Sequence, residues 1–195
     1  MDVNSEARNF AHKWAAISIV ASCTGVTMYA MTNLFPYVGF MVSRFRGLGN
    51  DGAGYAAGYV ASSFYLGRFL SSYYLGYLSD HVGRKPVMIV SMSAVGILSL
   101  AFGVSETLLW AVTCRFLMGL MCGTTIAGRA LVPELAGPTR VVEGMAQITG
   151  SYALGLTIGP ALGAILSEPT KHFPSIFAAI GLLERYPYLL PNILC

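Results

Sequence analysis

The chain has 195 residues, of which 55% are hydrophobic and only 11% charged, against about a quarter charged in ordinary soluble domains. Its formal charge is +3, and the basic residues are scattered singly, which excludes the basic stripe of a nucleic-acid binder. That composition suits a lipid bilayer, which a helix crosses with about 20 mostly apolar residues.

Residues 1–13 carry Asp2, Glu6, Arg8 and Lys13. They read as a cytoplasmic tail rather than a signal peptide, because the apolar run that follows is too long and no small-residue cleavage site is in view. Trp14 to Ser43 holds no charge and is the expected first span. A loop, RFRGLGNDGAG, leads to a second span at 54–79 that is interrupted only by Arg68. Residues 86–105 form the third span, 107–131 the fourth with Arg115 inside it, and 144–167 the fifth. After EPTKHFP and an amphipathic segment through Glu184 and Arg185, YPYLLPNILC at 186–195 starts a sixth. Ten residues are about half a crossing. The chain is therefore expected to be either the N-terminal part of a longer protein or a short isoform whose last residues lie at the interface.

The expected fold class is all-α, a polytopic membrane helix bundle. Most connections are short, which makes consecutive helices antiparallel neighbours and leaves no room for a soluble domain. Placing the N-terminus in the cytoplasm puts Arg8, Lys13, Arg84, Lys85, Arg129 and Arg140 on that side against Arg44, Arg46, Lys171 and Arg185 on the other, the bias expected of a multi-pass protein. Cys23, Cys114, Cys122 and Cys195 lie in or beside apolar runs without a CxxC and read as buried thiols. There is no HExxH, no Ser/His/Asp grouping and no paired carboxylates on one helix face, so neither an enzyme nor a metal centre is expected. No cofactor motif is present.

Three stretches carry more specific signals. Between the second and third spans, GYLSDHVGRKP places an aspartate, a histidine, an arginine and a lysine within six residues. As a hydrated turn this needs only Gly83 to end one helix and Pro86 to begin the next. The ordered pattern Gly76, Leu78, Asp80, Gly83, Arg84 and Lys85, however, resembles the signature loop of the major facilitator superfamily. In the fourth span, Arg115 opens RFLMG with Gly119, similar to the second motif of that superfamily. In the fifth, GLTIGPALGA contains Gly155, Gly159, Pro160 and Gly163 and resembles the motif of its proton-linked antiporters. Together with GYVASSFYLGRFLSSYYLG and a late ERYPYLLPNIL, these stretches resemble the zinc-induced facilitator-like branch of the twelve-span proton antiporters.

The resemblance implies the N-terminal six-helix half of a transporter, with the sixth helix truncated and the C-terminal half missing. It implies alternating access, protons as coupling ions, and a small organic solute or ion as substrate, at a vacuolar or plasma membrane. The loop aspartate would latch one state of the transporter by engaging the arginine and a helix end of the other half. Arg115 would serve either proton coupling or structural neutralisation. Arg68 lies twelve residues before Asp80, about 18 Å along a helix, so it either snorkels to the far side or faces a substrate cavity with Tyr29 and Asn33. No carboxylate lies within a complete span, leaving Glu134 and Asp80 at the boundaries, or the missing half, to carry a proton. A membrane scaffold or regulatory half-transporter is the competing reading.

Overall fold

The computed structural model describes residues 3–45, 50–167 and 186–194, and side chains from 12–45, 52–167 and 186–194. Among them every regular element is a helix. Helix α1 runs Val3–Thr32, α2 Val38–Ser43, α3 Asn50–Val82, α4 Arg84–Gly103, α5 Leu108–Met121, α6 Thr124–Ala136, α7 Val141–Leu166 and α8 Leu189–Ile193. Lys171, Glu184 and Arg185 lie outside the described residues.

The expected first span is not one helix. Pro36 has no N–H to continue the ladder and disfavours helical backbone at Phe35, so α1 stops at Thr32 and the chain turns before α2. The fourth span is also broken, between α5 and α6, where the Gly123 N–H turns back to Met121 O at 2.9 Å and also takes Ser91 Oγ at 3.1 Å. Among the described residues, four stretches are long and apolar enough to cross a membrane: 12–32, 84–103, 108–136 and 141–166. Helix α3 has the length, with 33 residues, but its serines, glycines and tyrosines make it less apolar.

Two helix pairs set the architecture, α1 against α7 and α3 against α5. In lipid, apolar surface alone does not drive helices together, and small residues instead permit close backbone contact. A Cβ at Gly155 would overlap the Gly25 carbonyl, and one at Gly163 the Asn33 carbonyl. Across the other pair, a Cβ at Gly67 would overlap Phe116 O, and one at Gly119 would overlap Phe64 O. Helix α6 joins the pairs by packing on α1, and α4 lies behind α5 and α6 with α8 against it.

Three buried clusters follow the bundle from the signature-loop end. Ile17, Val20, Val87 and Val132 form the first, Met28, Met31, Phe64, Met118 and Cys122 the second, and Tyr37, Val42, Val60 and Phe102 the third.

This packing predicts opposite outcomes for one chemical change. Gly119→Ala should destabilise the purified protein by about 1–3 kcal/mol through overpacking. Gly96→Ala, with nothing within 4 Å of its Cβ, should be neutral or stabilising by up to about 1 kcal/mol through helix propensity. Thermal unfolding in detergent micelles checks the pair, and equal shifts would contradict the packing.

Candidate functional site

The signature loop forms a one-residue turn. Helix α3 ends at Val82, α4 begins at Arg84, and Gly83 between them has φ +105°, a backbone conformation that favours glycine. Arg84 and Lys85 occupy the first turn of α4, where Pro86 costs no ladder bond. The tight turn lets Arg84 reach back to Asp80, Nη1 to Oδ1 at 3.0 Å. Arg84 also reaches forward to Glu134 near the end of α6, with Nε and Nη2 each 2.8 Å from Oε1. One guanidinium thus ties three helices at one end of the bundle, and its side chain is only 22% exposed against 61% for Asp80 and 54% for Glu134. His81 donates from Nδ1 to the Tyr77 carbonyl at 2.9 Å and lies against the Tyr77 ring. Lys85 is exposed, and Gly76 faces open space.

Arg115 is fully buried. Burying its charge at mid-membrane costs at least ~2.5–3.5 kcal/mol unless it is answered. Its Nη1 donates to Ala30 O at 3.3 Å, and the guanidinium lies 4.4 Å from the Phe102 ring centroid. Ala30 O is one of the carbonyls that a continuing α1 would have used, so the arginine sits at the negative end of a broken helix, where a cation is favoured. Gly119, one turn on, provides the close approach to α3, and its carbonyl accepts from Ser71 Oγ at 3.3 Å.

Gly155, Gly159 and Gly163 lie on the face of α7 that meets α1. Pro160 lies within α7 and removes the ladder bond to Leu156. Thr32 Oγ1 donates to Met28 O at 2.9 Å and approaches Gly155 O at 3.4 Å.

Tyr29 and Asn33 are both buried and converge on the Pro191 carbonyl, from Tyr29 Oη at 2.8 Å and Asn33 Nδ2 at 3.2 Å. Asn192 donates to Tyr37 Oη at 3.0 Å and Tyr188 O at 2.7 Å, while its Oδ1 accepts from Ser99 Oγ at 3.0 Å. These bonds tie the break in the first span to α8. Arg68, half-buried, lies away from them, with Nη1 3.4 Å from Met31 Sδ and 3.9 Å from Cys122 Sγ. The structure therefore brings Asp80, Arg84 and Glu134 together and groups Tyr29 with Asn33, but it places Arg68 with neither group.

Sequence reasoning missed the Arg84–Glu134 pair and the role of Asn192. An acidic residue at the loop end of the fourth span was the available signal for the first. A lone asparagine in an apolar run was the signal for the second, because a buried amide needs partners. Among the described residues no three His, Cys, Asp or Glu side chains come together to hold a metal ion.

The profile of the Major Facilitator Superfamily matches residues 12–184. Similar proteins include a probable peptide/nitrate transporter of Arabidopsis thaliana, 34% identical over 180 residues, which are 91% of this chain and 36% of that one. Zinc induced facilitator-like 1 of the same plant is 30% identical over 174 residues, 89% of this chain and 36% of that one. The major facilitator superfamily multidrug transporter mfsB of Aspergillus fumigatus is 33% identical over 184 residues, 91% and 30% respectively. No solved structure gives a significant match. The chain spans about a third of the length of these relatives, and it belongs to the Major Facilitator Superfamily as an integral, multi-pass membrane protein.

Proposed function

We propose that this chain is the N-terminal half of a secondary transporter that exchanges a small organic solute or cation against protons by alternating access. The observation that carries the reading is the Asp80–Arg84–Glu134 contact. It lies at one end of the bundle, where the second, third and fourth spans meet, and Gly76 and the exposed Leu78 leave the adjoining surface of α3 open. In alternating access, two halves rock around a site near the bilayer midplane. A contact that exists in only one of two states biases the cycle by its differential energy. The Asp80–Arg84–Glu134 cluster is the latch of this half. Its proton carrier is one of the boundary carboxylates or a group of the other half. Arg115 holds the broken first span to the fourth. The relatives named as transporters are about three times as long as this chain, which supports the reading of it as one part of such a protein.

Two outcomes test it. Reconstituted alone, the chain should show no proton-driven solute flux above empty vesicles, because one half has no opposing wall, and robust saturable flux would refute the half-transporter reading. In the complete transporter, Asp80→Asn should leave expression and melting temperature nearly unchanged, since an exposed pair stabilises by only about 0–1 kcal/mol, while transport falls at least tenfold. Normal transport by that variant would reduce the loop to a surface turn.

A further inference from the structure

Twenty residues of α4 separate the signature loop from Gly103, about 30 Å along a helix. At that far end, where α2 and α4 stop and α5 and α8 begin, lies a cleft of about 590 Å³, within the size range of small-molecule sites. Asp80, Arg84 and Glu134 do not line it. Its walls are set beforehand. The Tyr188 ring stacks on Tyr37 at 5.2 Å between centroids, and Asn192 Nδ2 donates to Tyr37 Oη at 3.0 Å and to the Tyr188 carbonyl at 2.7 Å. Met41, Phe45 and Tyr188, all buried, supply apolar wall. The loop between α4 and α5 also holds its shape: Ser105 Oγ donates to Phe102 O at 2.7 Å, and Thr107 Oγ1 accepts from the Trp110 N–H at 3.3 Å. A preorganised cleft loses little entropy when it fills.

Two charged residues of opposite sign line the cleft among the described residues, and both are exposed. The Arg44 guanidinium carbon lies 5.6 Å from the centroid of the Tyr188 ring. Glu106 Oε1 accepts from Tyr186 Oη at 3.1 Å. This pairing sorts ligands by charge. An anion that reaches Arg44 also meets Glu106, and a cation that reaches Glu106 also meets Arg44, so either is penalised by a like charge. A neutral molecule would strip water from both groups without replacing it. A zwitterion answers each charge with its opposite.

Depth selects the kind of zwitterion. Trp110 is exposed beside this loop, with Nε1 donating to the Ala101 carbonyl at 3.0 Å, and an exposed tryptophan at a span end marks the headgroup layer. The zwitterions of that layer join a phosphate to an ammonium.

We propose that the cleft formed by Arg44, Glu106, Tyr186 and Tyr188 binds a phosphate–ammonium zwitterion, either the headgroup of a phospholipid or a free phosphoester of the same chemistry. The Arg44 guanidinium presents paired N–H donors to the phosphate, while Glu106 and the tyrosine faces take the ammonium. The inference is independent of the transport reading, since it needs neither the latch nor a second half.

The test is calorimetric titration of the full 195-residue chain in nonionic detergent micelles at constant ionic strength. The probes are phosphocholine and dihexanoylphosphatidylcholine below its micelle concentration, with choline, inorganic phosphate and glycerol as single-charge and neutral controls. At least one zwitterion should bind saturably, at least tenfold more tightly than any control. Arg44→Gln and Glu106→Gln should each weaken that binding at least tenfold. Both positions are exposed, so unliganded melting temperatures should stay close to the parent's. If one variant fails to fold, the other variant and the parent's selectivity over choline and phosphate decide. Equal affinity for the two zwitterions assigns the site to the free phosphoester, and tenfold tighter binding of the lipid assigns it to a headgroup. Three results would overturn the proposal: no saturable binding of either zwitterion, choline or phosphate binding as tightly as the better zwitterion, or affinities unchanged in both glutamine variants.

Discussion

Direct backbone contact between helices is the constraint on which the rest of the molecule depends. At Gly119 and Gly67, and again at Gly155 and Gly163, a carbonyl of the neighbouring helix occupies the space a Cβ would need. In water, burial of apolar side chains could hold such helices at larger spacing. In lipid that drive is absent, and close packing has to supply the attraction. The approach also fixes register: because Gly119 lies on Phe64, Arg115 one turn earlier is carried to the open end of α1, and Arg68 one turn after Phe64 is carried to Cys122.

Charge is then distributed by what each position can reach. Arg84, at the boundary, has two exposed carboxylates within range, so its contacts are inexpensive to break and suit a state-dependent role. Arg115, deep and fully buried, has a carbonyl released by the break in α1 and the face of Phe102. A desolvated cation over a ring gains about 2 kcal/mol, comparable to the cost of its burial. The break thus supplies an acceptor for Nη1 of the arginine. Pro36 creates the acceptor, and Arg115 uses it. The same pairing of a broken helix with a polar group recurs at α8, where the Pro191 carbonyl takes Tyr29 and Asn33.

What was legible in the sequence was local. Gly83 and Pro86 specify a tight turn between helices through their own backbone preferences, and the Gly155–Gly159–Gly163 spacing places small residues on one helical face. Pro36, by its own backbone chemistry, accounts for the break in the first span. The break at Cys122–Gly123 was not legible, because no proline enforces it; it depends on Ser91 of another helix. Nor could sequence spacing place Tyr29 and Asn33, whose common partner is more than 150 residues away. Glu134 drew notice as a boundary carboxylate, but its pairing with Arg84 depends on how the third and fourth spans meet. The lower apolarity of α3 follows from the tyrosines and serines it presents, several of them exposed.

An exposed cation at depth is tolerated where it faces water rather than lipid, and Arg129 is such a cation. Spin labels at position 129 and, as a lipid-facing reference, at the exposed Ile97 of α4 allow a direct comparison in bilayers. Collisions with a water-soluble nickel chelate report wetting, and collisions with dissolved oxygen report lipid. Nickel-dominated collisions are expected at 129 and oxygen-dominated collisions at 97. Oxygen-dominated collisions at both positions would place Arg129 against lipid and contradict a water-facing arginine.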